Sequence, residues 1–293
     1  MQLVLTVLEI VSPVFILALI GFGWVKAGHE YRIEFVTRLA MTLSIPALIF
    51  VALVNAKIEP AALTSLLMAA TVGFAAVTAV AFVAVKVFKL EIRTYLAPLI
   101  FGNTGNLGLP LAYFAFGDEG LSYAVVVFAV MALWSFTFGV YVTAGGGHPG
   151  KVIKEPLVGA TLLGGLFLWQ GWTLPTFAMN TLDLLGQIAI PVMLITLGVA
   201  MARLQVNSMG RAVALSLGKV ILCAGIAAVV GQWFDLAPVP FAVLVVQLAT
   251  PVAVTSYMLA EKYGAQAQEV AGLVVASTFL SVIYLPVLLG LLL

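Results

Sequence analysis

Gly102 to Pro110 read GNTGNLGLP, within a stretch from Tyr95 to Phe116 that is otherwise almost wholly apolar. Gly102, Gly105 and Gly108 remove side-chain bulk at every third position. Pro110 lacks an amide donor and clashes with the preceding turn, which predicts a transmembrane helix interrupted before it. In hydrocarbon such a break survives only where protein or a lined cavity satisfies the freed backbone groups. The stretch therefore demands a partner elsewhere in the chain.

The rest of the sequence is built for a bilayer. Its 293 residues are 63% hydrophobic and 9% charged, against roughly 25% charged in soluble proteins, and the mean hydropathy is +1.19. This is an all-α polytopic membrane protein with no room for a sizeable soluble domain. At about 20 residues per span, the apolar runs divide into ten: 3–24, 34–54, 61–85, 95–116, 121–143, 153–170, 178–202, 210–232, 238–259 and 267–290. The first has no basic flank or small-residue cleavage site and is expected to be a retained helix.

Eleven of the thirteen Lys and Arg residues lie in or beside odd-numbered connections, one (Lys57) lies in an even-numbered one, and Lys219 falls inside a span. The acids Glu59, Asp118, Glu119, Asp183 and Asp235 occupy the even connections. The positive-inside rule then puts the odd connections in the cytoplasm and both termini on the outer, periplasmic side of a bacterial inner membrane.

At an offset of 145 residues SIPALIFVAL, from Ser44, aligns with AIPVMLITLG, from Ala189; the same offset sets Gly102 onward against QLATPVAVTSY, from Gln247. Two halves, 1–146 and 147–293, are therefore read as five-helix repeats. Five is odd, so the second half enters from the opposite face and the repeats are inverted, the geometry of alternating access.

Ten residues at 1.5 Å each carry span four from Arg93 about 15 Å deep at Asn103, and span nine reaches Thr250 and Pro251 at similar depth from the other side. Half-helices starting there aim free amides and positive dipole ends at the centre, an anion site with no fixed cation. Asn103, Thr104 and Asn106 from one repeat, and Thr250, Thr255 and Ser256 from the other, are the candidate donors to substrate. Gly102, Gly105, Gly108, Pro110 and Pro251 shape the site, with Pro46 and Pro191 as repeat-related kinks. Lys219, deep in span eight, and Glu9, shallower in span one, are candidates for ion coupling. Cys223 is the only cysteine, so no internal disulfide forms, and no metal-ligand spacing, catalytic motif or nucleic-acid-binding basic tail occurs.

NTGNLGLPL (Asn103 to Leu111), the mid-span SIPALIF and the five-span repeat resemble the auxin efflux carrier family in its short bacterial form, the malonate or malate permease-like proteins. The resemblance covers essentially the whole chain and implies a fold like that of the bile acid:sodium symporters and sodium/proton antiporters. In that fold helices four and nine are broken and crossed in a transport domain (helices 3–5 and 8–10), beside a scaffold of helices 1, 2, 6 and 7. In plant members an asparagine at the start of the fourth-helix motif contacts the substrate carboxylate, and Asn103 matches it; their motif lacks the amide of Asn106. The long loop of many plant members is also missing, so regulation there is not implied.

The expectation is a secondary transporter, not an enzyme, for a small organic anion: a carboxylate, dicarboxylate or auxin-like weak acid. An anion channel and a sodium-coupled carboxylate symporter are the alternatives. Coupling to protons or to sodium is left open by these residues, and a homodimer in the lipid is compatible with them.

Overall fold

The computed structural model describes residues 2–55, 60–146, 156–204 and 209–293. Lys57, Glu59 and two of the basic residues counted in odd-numbered connections, Lys151 and Lys154, lie outside the described residues, as does residue 147 at the boundary between the two halves.

The described chain is helical throughout. Helix α1 (Gln2–Lys26) is followed by α2 (Ile33–Leu39), which passes through a π turn, Ala40–Ser44, into α3 (Ile45–Val54). Next come α4 (Pro60–Val87) and α5 (Ile92–Ile100). After an interruption, a π turn over Thr104–Gly108 opens α6 (Leu109–Trp134), and a third π turn, Ser135–Gly139, leads to α7 (Val140–Ala144). The second half holds α8 (Pro156–Gln170), α9 (Thr176–Gln187), α10 (Ala189–Arg203), α11 (Met209–Trp233), α12 (Pro238–Ala249), α13 (Val254–Lys262) and α14 (Ala267–Leu292). Among the described residues, seven helical stretches are long and apolar enough to cross a membrane.

One of these, Thr104–Ala144, has 41 residues, about 60 Å if straight and twice the hydrocarbon thickness. It is not straight. Gly117 adopts φ 64°, ψ −153°, a conformation that only glycine reaches without strain. A Cβ on Gly120 would come within 2.6 Å of the Ala112 carbonyl oxygen, eight residues back and about 12 Å away in a continuous helix. The chain therefore folds back at Gly117.

Helix packing falls into two groups. In one, α1 lies along α10, and α3 lies on α8 and α9. Contacts in the other join α4 to α5 and α6, and α11 to α12, α14 and α4. Lipid tails are as apolar as the helices, so association rests on close packing rather than on hydrophobic drive. Glycine supplies it between α1 and α10: a Cβ on Gly198 would strike the backbone carbonyl of Ala18, and one on Gly21 that of Ile195.

The Arg93 guanidinium donates to the carbonyls of Tyr263 (2.7 Å) and Thr143 (3.1 Å), and Arg203 donates to that of Tyr31 (2.6 Å). Elsewhere Asn55, Asp118, Glu119 and Asp183 line one cavity of about 740 Å³ between α3, α6, α9 and α10.

Candidate functional site

The two interruptions find each other. Phe101 (ψ 118°) ends α5 in extended backbone, Thr250 (ψ 148°) ends α12 in the same way, and Ala253 (ψ 134°) precedes α13. Gly102 and Val252 form an isolated antiparallel bridge. The Asn103 amide donates to the Pro251 carbonyl at 2.7 Å, and the Ala253 amide donates to that of Phe101 at 3.3 Å. The flanking helices α5 and α13 have nine residues each, about 14 Å, which sets the crossing roughly half a bilayer from either end.

Side chains satisfy the remaining backbone groups. Tyr284 of α14 donates to the Ala249 carbonyl at 2.8 Å, Lys219 of α11 to the Thr250 carbonyl at 2.9 Å, and Ser277 of α14 accepts from the Val252 amide at 2.9 Å. These bonds make a broken helix tolerable where water is absent. Glycine sets how close the strands come. A Cβ on Gly102 would collide with the Thr250 hydroxyl, and one on Gly108 with the Gln247 amide.

Most of the polar residues expected at the centre are there. Asn103, Thr104, Thr250 and Ser256 are buried, and Asn106 is half-buried in the π turn. Asn103 caps that turn, its carbonyl accepting from the amides of Leu107 and Gly108 at 3.1 Å each. The Thr250 hydroxyl donates to the Gln247 carbonyl at 2.7 Å, whereas Thr255 is exposed on the first turn of α13. Lys219 is 3% exposed and turns inward to the Thr250 carbonyl. Glu9 is exposed on α1. Pro46 follows the π turn of Ala40–Ser44, and Pro191 follows the break at Ile188 and lines the cavity. The interruption falls before Pro110, at 101–103, where the antiparallel pairing occurs, and Pro110 opens α6 after the π turn.

Three groups at the crossing were missed from sequence: Gln247, Ser277 and Tyr284. Gln247 lay in the aligned repeat, opposite Gly102, but only the fold shows that its amide packs on Gly108. Four atoms here are buried without a hydrogen-bond partner: Asn103 Nδ2, Thr104 Oγ1, and both Oε1 and Nε2 of Gln247. Unmade hydrogen bonds cost about 1–3 kcal/mol each, so such a cluster is unusual in a structural core. Gln247→Met keeps the length and removes both orphan atoms. It is expected to stabilise the purified protein by about 1 kcal/mol, read as a higher melting temperature; an unchanged or lower one would show that the amide is satisfied in solution.

A crossing of interrupted helices lined with donors can hold an anion and present it to either face. The model of one protein family, described as membrane transport protein, matches residues 6–149 and then matches again over residues 146–289. The chain belongs to this family, that of the auxin efflux carriers. Among its relatives, an uncharacterized transporter of Methanocaldococcus jannaschii is 26% identical over 220 residues, covering 67% of this chain and 69% of that one. A second uncharacterized transporter, from Methanothermobacter thermautotrophicus, is 28% identical over 191 residues, 63% of each chain.

Proposed function

We propose that the chain is a secondary active transporter of a small organic anion, a carboxylate, working by elevator-type alternating access. The crossing of 101–103 with 250–253 carries this reading. It places unpartnered donors of Asn103 and Thr104 at mid-depth, beside helix starts whose dipoles favour negative charge.

The architecture behind the proposal is ten spans in two inverted repeats. The α1–α10 contact is mirrored by α8–α3, α4–α5 by α11–α12, and α4–α6 by α11–α14, as a two-fold axis relating spans one to five with six to ten requires. A scaffold of α1–α3 and α8–α10 would hold still while a transport domain of α4–α7 and α11–α14 moves. Orientation follows the basic residues, with both termini outside in a bacterial inner membrane. The cavity lined by Asp118, Glu119 and Asp183 would then be the outer mouth, where carboxylates disfavour re-entry of a released anion.

Reconstituted protein tests this directly. Vesicles loaded with malonate, malate or indole-3-acetate are expected to accumulate the labelled form of a true substrate transiently against its gradient, by counterflow. Independently imposed sodium and pH gradients would identify the coupling ion, or uniport. Flux at channel rates without counterflow would sink the carrier reading and leave an anion channel; strict sodium dependence would favour the symporter alternative.

A further inference from the structure

Lys219 is the only buried charged side chain among the described residues. Its ammonium donates at 2.9 Å to the carbonyl of Thr250, the C-cap residue of α12, where the negative end of the helix dipole favours a cation. That single acceptor leaves two donors on the nitrogen. Among the described residues no carboxylate is buried. The nearest acid on α14, Glu269, is half-buried near that helix's start and accepts from Tyr95 at 2.9 Å. Cys223, a buried free thiol, lies one turn further along the same helix, and the Tyr284 hydroxyl is committed to the Ala249 carbonyl. An ammonium with no carboxylate is costly at this depth and is expected to serve function.

We infer that Lys219 is a counter-charge built into the moving crossing, so that a bound monoanion crosses without net charge and the empty site returns carrying one positive charge. This rests on the carrier reading above. The anion completes the pairing that the fold leaves open, and the membrane potential acts on the return of the empty site. An inside-negative potential draws that positive charge inward, which favours net export of the anion. A full crossing of the field by one charge would bias the empty site by up to about fiftyfold per 100 mV.

The test separates exchange, in which only loaded sites cross, from net efflux, which includes the empty return. Proteoliposomes are loaded with indole-3-acetate, a monoanion at pH 7.5, and potentials are set with potassium and valinomycin. Wild-type exchange is expected to differ by less than about twofold between 0 and −100 mV, while net efflux rises several-fold. In Lys219→Met the pattern inverts: exchange becomes voltage-sensitive and the empty return does not. Lys219→Arg keeps the charge and is expected to behave as wild type. Wild-type exchange as voltage-sensitive as net efflux would overturn the inference, a result that does not require the Met variant to fold. Absence of exchange for each of malonate, malate and indole-3-acetate would instead overturn the carrier reading beneath it.

Discussion

Asn103→Asp is expected to weaken anion binding by at least about tenfold while leaving the crossing intact. The substitution keeps nearly the same volume. It also keeps the two backbone roles of residue 103, the amide bond to Pro251 and the carbonyl that caps the π turn. What changes is the side-chain Nδ2, buried and without a partner, which is replaced by a carboxylate oxygen. Loss of a hydrogen bond to a charged group is worth roughly 1.5–3 kcal/mol, and a factor of ten in affinity is about 1.4 kcal/mol; charge repulsion adds to that. Asn103→Ala removes the donor without adding charge and is expected to lose less where water can substitute. Calorimetry on monodisperse variants, titrated with the anion that passes the counterflow test, decides the matter. Wild-type affinity in Asn103→Asp would move the anion site away from this residue.

Gly198→Val is expected to give the largest loss of stability, far from the crossing. The obstacle to a side chain there is the main chain of α1 at Ala18, which cannot rotate aside. The two helices must separate or slide along their whole contact. Overpacking of a core costs about 1–3 kcal/mol and sometimes more, and the upper end applies where backbone meets backbone. Gly23→Val on α1 is the control, since nothing lies within 4 Å of its Cβ position. Thermal unfolding in detergent should show a clear drop for Gly198→Val and little change for Gly23→Val. Equal melting temperatures would mean that α1 and α10 are not so closely apposed.

Much of the crossing was legible because its signals are local. Glycine, proline and amide residues inside an apolar run report a broken helix wherever they occur, and the counterpart of GNTGNLGLP was found by its fixed offset. The groups that hold the crossing together were not legible in the same way. Ser277 and Tyr284 look like ordinary residues of a hydrophobic helix, since a hydroxyl in a span often bonds its own backbone, as Thr278 and Ser281 do here. Gln247 stands one turn before Thr250 with no pattern around it, and only the approach of the Gly108 π turn leaves its amide without partners. Pro110 and the glycines located the interruption only to the stretch before the proline; pairing with 251–253 is what fixes the extended residues at 101–103.

Composition and residue order alone determined that this protein lives in a membrane, and marked the stretches at 102–110 and 247–257 as places where an apolar helix is interrupted. Those properties follow from hydropathy and backbone chemistry summed along the chain, and need no knowledge of neighbours. The tertiary structure decided which groups meet: that 101–103 pairs with 250–253, that Lys219 turns inward to the Thr250 carbonyl rather than outward to the headgroups, and that Gly21 and Gly198 bring α1 onto α10. Such contacts join residues 31 to 180 positions apart, and in a chain this apolar almost any helix could pack on any other. Close fit and the need to satisfy every buried polar group select among them, and both arise only when the helices are in place.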